Sequence, residues 1–168
     1  MSTRSNICLV LKKEDIGKSV KFDETKLPKD ITCNDECINK VEEVVLEKPI
    51  LEIYHHNDGY PEGVGVTLVS QFNDYDTILN LLLGGDASSI NGGKVCQYCA
   101  WRGEEWESVK PRQLDNPVLN EEYLYKFENG VWYFKDIYEN KDWTNLKEYF
   151  YNINVRLTND KWVINKLR

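Results

Sequence analysis

The cysteines are the residues whose spacing comes nearest to that of a metal site. Cys33 and Cys37 are separated by three residues, and Cys96 and Cys99 by two. Two close cysteine pairs can supply the four thiolates of a tetrahedral zinc site. The second pair falls in a predicted strand, where neighbouring side chains alternate between faces, and this favours buried thiols. We therefore expect no bound cofactor, and zinc held by these four cysteines is the alternative.

The two histidines, His55 and His56, are adjacent and close to Asp58. On a strand they point to opposite faces, so they are poorly placed to bind one metal together. One of them with Asp58 would form an acid–base pair. The interpretation that we favour is structural, with one imidazole packed inward and the other solvated or holding the turn.

A glycine-rich passage runs from Asp58 through Gly59, Gly63 and Gly65 into a predicted helix. Such a passage resembles a phosphate-binding turn at a helix N-terminus. It lacks both nucleotide fingerprints, Gly-Lys-Ser/Thr and Gly-x-Gly-x-x-Gly, and Glu62 would repel an anion. We predict a structural turn in which Gly59 has positive φ and the later glycines allow close helix–strand contact.

The clearest predicted elements surround this turn. Ile50–His56 reads as a strand, and the helical spacing of Val64, Leu68 and Phe72 follows it. Further predictions are a strand at Ile7–Lys12, a helix between Asp74 and Gly84-Gly85, a hairpin of Glu122–Phe127 and Val131–Ile137, a helix at Trp143–Tyr151 capped by Asp142, and a hairpin of Asn152–Leu157 and Lys161–Leu167.

The remaining segments carry turn-forming residues. We predict two loops, at Asp86–Gly93 and Arg102–Asn120, and a strand at Val95–Trp101 between them. The charged and aromatic residues at this second loop, including Trp101 and Arg102, form a candidate binding surface. Strands surrounding the helices predict one α+β domain over residues 1–168, with a mainly antiparallel sheet and two to three helices.

Composition narrows the classes of partner. The 168 residues carry 28 acidic and 21 basic side chains, a formal charge of −7, with ten Tyr and five Trp. This charge disfavours direct binding of nucleic acid and suits approach to a basic protein surface, although it also serves solubility. The sequence shows neither a secretory signal nor an apolar run long enough to span a membrane, and its cysteine count is odd. We therefore expect a reducing, cytoplasmic location.

Two separated motifs resemble those of a family of small uncharacterised phage- and prophage-associated bacterial proteins. The first is Ser2-Thr3-Arg4-Ser5, and the second is the aromatic and histidine-rich strand that runs into Asp58-Gly59-Tyr60-Pro61-Glu62-Gly63-Val64-Gly65. The segments Leu83–Ile90 and Ala100–Glu104 also fit this pattern. The resemblance implies a bacterial host cell, where such proteins bind host or defence proteins.

The leading hypothesis is a non-enzymatic protein that binds a host or defence protein, including an anti-CRISPR-like inhibitor. The alternative is a small-molecule or nucleotide site, binding or enzymatic, at the turn. A structural protein of a virion is a third reading. An Arg4–Asp58 ion pair across the sheet would organise the turn in any of these cases. The candidate ligand- or partner-binding residues are Arg4, His55, Asp58, Tyr60, Gly63, Gly65, Trp101 and Arg102.

The cysteine hypothesis gives a first prediction. Protein purified without chelator is expected to contain less than stoichiometric zinc, because the cysteines are predicted to be buried thiols. Elemental analysis together with thiol titration under denaturing conditions measures both quantities. One zinc per chain, with thiols that become titratable only after chelation, would contradict the expectation.

Overall fold

The computed structural model describes residues 2–33, 40–91, 93–98, 104–139, 142–153, 155–158 and 161–164. The α-helices are α1 (Val66–Gln71), α2 (Tyr75–Leu83), α3 (Trp106–Val109) and α4 (Leu146–Asn152), and a π-helical turn at Pro61–Gly65 leads into α1. The strands are β1 (Ser5–Val10), β2 (Ser19–Val20), β3 (Thr32–Cys33), β4 (Val44–Val45), β5 (Ile50–His55), β6 (Ala87–Asn91), β7 (Lys94–Gln97), β8 (Arg112–Leu114), β9 (Tyr123–Glu128), β10 (Val131–Asp136), β11 (Thr144–Asn145), β12 (Val155–Thr158) and β13 (Lys161–Ile164).

The main sheet has nine strands and is mixed, so the prediction of a mainly antiparallel sheet is wrong. Its order is β11-β10-β9-β1-β5-β6-β7-β3, and β8 also pairs with β5. Strand β1 is parallel to β9, β5 to β6, and β3 to β7, while the other pairs are antiparallel. Helices α1 and α2 lie between β5 and β6 along the chain, and such a crossover returns the chain in the same direction.

The main core lies on the face of the sheet that the helices cover. Ile7 and Leu9 from β1 and Leu51 and Ile53 from β5 are all fully buried there. From the predicted helix face, Val64, Leu68 and Phe72 join the same core, which confirms that spacing. Strand side chains alternate between faces, so Cys8 and Ile50 belong to a smaller cluster on the opposite face.

The predicted start and end of α2 and the predicted turn of the β9–β10 hairpin are confirmed. The Asp74 carboxylate accepts a hydrogen bond from the Thr77 N–H at 2.9 Å, and Gly84 ends α2. In the β9–β10 hairpin, Asn129 and Gly130 have φ values of 50° and 82°, as a type I′ turn requires.

Several predicted elements need correction. Asp86–Gly93 contains β6, and Arg102–Asn120 contains α3 and β8. Strand β6 pairs with the next strand, β7, and with β5, whereas β8 pairs with the distant β5, and this pairing stabilises both short polar strands. Helix α4 is capped by Asn145, whose side chain accepts from the Glu148 N–H at 3.1 Å, while Asp142 bonds the N–H of Trp143.

The helices differ from the prediction in number and are all short. Four α-helices lie in the described residues, where two to three were expected. No helix in this part of the chain has the length and apolar character needed to cross a membrane.

Candidate functional site

The turn after β5 is held by main-chain contacts to the start of β1. The Gly59 N–H donates to the Thr3 carbonyl at 2.9 Å, and the Gly59 carbonyl accepts from the buried Tyr125 hydroxyl at 2.6 Å. A Cβ at position 59 would lie 2.8 Å from the Thr3 oxygen. Position 59 therefore requires glycine because of close approach. The residue with positive φ is Asp58, at 57°, which corrects the expectation for Gly59.

Gly63 and Gly65 both lie close to neighbouring groups, but these are the turn itself and α4 rather than the predicted strand. A Cβ at Gly63 would overlap the Asp58 carbonyl oxygen, which accepts from the Val64 N–H at 2.8 Å. A Cβ at Gly65 would approach Phe150 to 3.3 Å. The main-chain groups here bond within the turn and into α1, so the passage has the character of a structural turn.

Arg4 and Asp58 lie at the same end of the sheet without forming the predicted ion pair. Both side chains are exposed, and the ion pairs within the described part of the chain include none between them. The main-chain N–H of Arg4 donates to Glu122 Oε1 at 3.3 Å. The two segments are joined by the Gly59–Thr3 hydrogen bond, which leaves both side chains accessible.

His55 is fully buried and joins three strands. The Ile90 N–H of β6 donates to His55 Nε2 at 3.1 Å, which makes Nε2 an acceptor. The proton of the neutral ring therefore lies on Nδ1, which donates to Ser5 Oγ of β1 at 3.1 Å. A histidine that activates a serine must accept the hydroxyl proton, so this pair is structural. Burial lowers the pKa of His55 to about 3.

His56 is half-buried and faces away from His55. Its Nδ1 lies 2.7 Å from the Tyr54 hydroxyl. The sequence-based interpretation of one inward and one more solvated imidazole therefore agrees with the placement of both rings.

A cavity of about 610 Å³ lies on one side of the turn. Asp58, Tyr60 and Gly63 line it, together with hydroxyl and amide side chains such as Ser70 and Asn91. Its charged lining residues are Asp58 and Glu62, and the Tyr60 hydroxyl donates to Asp58 at 3.4 Å. Among the described lining residues there are thus two carboxylates and no cation, an arrangement that disfavours phosphate groups.

The strand register brings further acidic and aromatic residues to the same end. Ser5 lies opposite His55 and Tyr123, and Tyr123 lies opposite Asp136. The chain segments that enter and leave these strands therefore meet at one edge. We call this edge the acidic tyrosine surface, and it comprises Asp58, Tyr60, Glu62, Glu122, Tyr123, Asp136, Tyr138, Glu139, Asp142 and Tyr149.

Hydrogen bonds between tyrosines and carboxylates organise the acidic tyrosine surface. The Tyr138 hydroxyl donates to Glu122 at 3.1 Å, and the Tyr149 hydroxyl donates to Glu62 at 3.3 Å. Burial, reinforced by nearby carboxylates such as Glu62, raises the pKa of Tyr123 and Tyr149 to about 12. These tyrosines are therefore neutral donors at physiological pH.

Sequence reasoning missed a charged cluster on the opposite face of the sheet. The Arg112 guanidinium contacts Asp86 at 3.1 Å and Glu52 at 3.4 Å, and both carboxyl groups are nearly buried. Burial raises the pKa of both carboxyl groups. The available signal was Glu52 itself, a charged residue within the apolar run Ile50–Tyr54.

The other predicted site residues fall partly outside the description. Cys37, Cys99, Trp101 and Arg102 are not among the described residues. Cys33 lies opposite Val95 in the parallel β3–β7 pair, next in sequence to Cys96. Within the described residues, no group of three or more His, Cys, Asp or Glu side chains is arranged to hold a metal.

The Tyr125 hydroxyl gives a prediction about the turn. Tyr125→Phe should lower the free energy of unfolding by about 1–3 kcal/mol, because it leaves the Gly59 carbonyl without its buried donor. Denaturant unfolding measures this loss. The matched control is Tyr138→Phe, whose side chain is 73% exposed and which should change stability by less than about 0.5 kcal/mol. Equal effects of the two variants would contradict the prediction.

His55 gives a prediction about acid stability. Its folded pKa of about 3 lies below the usual 6.5, so its contribution to stability is present above 6.5 and is lost as the pH falls towards 3. Between pH 7 and 5, the wild type should lose about 2 kcal/mol more than His55→Gln. Unfolding at both pH values measures this difference. A His55 imidazole that titrates near 6.5 by NMR in the folded wild-type protein would refute the prediction.

The site therefore combines a rigid structural turn, a polar acidic cavity and an exposed edge rich in carboxylates and tyrosines. Such an arrangement can bind a cationic or hydrogen-bonding surface, since acidic side chains repel anions and tyrosines supply both apolar area and donors. No family model, curated protein or solved structure matches the chain.

Proposed function

We propose that this is a non-enzymatic, phage- or prophage-type protein that binds a host or defence protein through the acidic tyrosine surface, as an anti-CRISPR-like inhibitor does. The observation that carries the proposal is the gathering of exposed tyrosines and carboxylates at one edge of the sheet. The bacterial, cytoplasmic setting comes from the family resemblance of the Ser2–Ser5 and Asp58–Gly65 motifs.

Exposed aromatic and apolar side chains support a protein interface at this edge. Tyr138 is 73% exposed, and Ile137 beside it is 43% exposed. Tyr60, on the turn, is 38% exposed. Tyrosine is enriched among the residues that dominate binding energy, because its ring buries a large area while its hydroxyl forms a hydrogen bond.

Charge selects the kind of partner. The acidic tyrosine surface carries six carboxylates from Asp58 to Asp142, and the nearby described cations are Arg4 and Lys135. Complementary charge steers association and excludes like-charged partners. The partner face is therefore basic, and the nucleic-acid-binding channel of a host or defence protein is the class of surface that fits.

The cavity beside the turn supports a second candidate function, the binding or conversion of a small molecule. Asp58 and Tyr60 line this cavity, whereas His55 is buried in the core and Arg4 does not line it. A neutral polar ligand suits the hydroxyl and amide lining better than a nucleotide. Ligand-induced thermal stabilisation that Asp58→Ala abolishes, with the fold intact, would favour this candidate.

Affinity capture with charge-reversed variants tests the leading proposal. The double variant Glu62→Lys/Glu139→Lys reverses two exposed charges on the acidic tyrosine surface. We expect immobilised wild-type protein to retain a basic protein from bacterial lysate, and the double variant to bind that purified partner at least about tenfold more weakly. Wild-type association should slow as salt increases, because exposed charges are screened.

The control is Glu42→Lys/Glu47→Lys, which makes the same charge change near the opposite end of β5, where both residues are exposed. This variant should bind as the wild type does. An equal loss of affinity in both double variants would show that net charge, rather than the acidic tyrosine surface, determines binding. Absence of a saturable partner, together with absence of inhibition of any defence system tested in infected cells, would end the proposal.

A further inference from the structure

A second cavity, of about 500 Å³, opens on the sheet face opposite the helices. Leu51 and Ile53 of β5 point into the main core, so Glu52 between them points to this face. The lining residues that matter here are Glu52, Asp86, Arg112, Leu114, Val118 and Glu121. The cavity is distinct from the one beside the turn, and the proposed protein-binding function does not use it.

Glu52 is the unusual group in this cavity. Only 4% of its side chain is exposed. Its two donors are Arg112 Nε at 3.4 Å, which is long for a charged pair, and the Cys8 thiol at 3.5 Å, an ordinary length for a weak sulfur donor. Charge-assisted hydrogen bonds to carboxylates are usually about 2.7–2.9 Å long. Each Glu52 oxygen therefore has one donor, and because a carboxylate can accept about four hydrogen bonds, the group keeps acceptor capacity at the wall of a cavity.

Asp86 does not share this deficit. Its carboxylate accepts from the Tyr54 N–H at 2.8 Å and from the Arg112 guanidinium at 3.1 and 3.3 Å. Arg112 is thus committed mainly to Asp86. Among the described residues that line the cavity there are three carboxyl groups and one guanidinium, a negative excess that a cation would neutralise.

Part of the lining is apolar. Leu114 and Val118 contribute it, and Val118 is 49% exposed. We propose that this cavity binds a small organic cation, an amine or amidine whose charged end meets the Glu52 carboxylate and whose apolar body lies against Leu114 and Val118. An anion is repelled by the same carboxylates, and a neutral molecule leaves their negative charge without a further counter-charge.

Binding is coupled to protons. The titratable and charged groups facing Glu52 are the Cys8 thiol from β1, Arg112 from β8 and Asp86 ahead of β6. Burial raises the pKa of Glu52 above its usual value, so its neutral form persists to higher pH than that of an exposed glutamate. A cation binds the ionised form, which releases a proton, and its affinity therefore rises with pH.

Benzamidine is the probe, since it joins an amidinium to an apolar ring, with benzamide and benzoate as its neutral and anionic analogues. Calorimetry should show benzamidine binding at least about tenfold tighter than either analogue. The heat should differ between buffers of different ionisation enthalpy, as proton release requires. Glu52→Gln should weaken binding about tenfold and abolish that buffer dependence.

A surface variant keeps the test independent of folding at Glu52. Val118→Lys places a cation at the rim and should weaken benzamidine binding about tenfold. The control is Val45→Lys, since Val45 is 47% exposed and lies outside the cavity, and it should bind as the wild type does. No saturable benzamidine binding at millimolar concentration, equal binding of benzamide, or an unaffected Val118→Lys variant would each overturn the proposal.

Discussion

Asp86 satisfies hydrogen-bonding groups at the point where the main sheet divides. Strand β5 pairs with β8 through Ile50–Glu52 and with β6 at His55, and between these partners the Tyr54 N–H needs an acceptor. The Asp86 carboxylate supplies it at 2.8 Å. The Asp86 main chain also donates to Val109 and accepts from Tyr98. A buried strand edge without these bonds would be costly, so the branched sheet depends on this residue.

The branch has consequences for both faces of the sheet. Arg112 must neutralise Asp86, so β8 is held where its guanidinium reaches that carboxylate, and Glu52 receives only what remains of the same cation. On the other side of the branch, β6 continues beyond β5 and brings the Ile90 N–H to His55. That bond fixes the tautomer of His55 and, through Ser5, the position of the first strand.

The elements that could be predicted from sequence are those specified by neighbouring residues. Asp74 caps α2, Asn129-Gly130 turns the hairpin, and the spacing of Val64, Leu68 and Phe72 marks a helix, because each signal acts over a few residues. Strands β6 and β8 carry polar residues and owe their conformation to pairing. Strand β6 pairs with β7 and β5, and β8 pairs with β5, which is distant in the sequence. Propensity does not encode such pairing.

The candidate site likewise has features that could be predicted from the sequence and features that could not. The need for a small residue at Gly63 was predictable, since its close neighbour is Asp58 in the same turn, whereas the neighbour of Gly65, Phe150 of α4, is distant in the sequence. The Arg4–Asp58 pair was not formed, because a main-chain bond from Gly59 already joins the two segments and leaves both side chains in water. An exposed ion pair between them would add little stability, so nothing in the fold requires it.

The acidic excess of the chain therefore has two different physical meanings. Carboxylates such as Glu139 and Asp142 are exposed and act at a distance by attracting cations. Glu52 is nearly buried, and it shares the Arg112 guanidinium with Asp86, so burial opposes its ionisation more than it does for an exposed carboxyl group. Solubility accounts for carboxylates of the first kind, whereas it gives no reason to bury a carboxyl group within an apolar strand. A charged group in that position is best understood through what it contacts, which here is Arg112 on one side and an open cavity on the other.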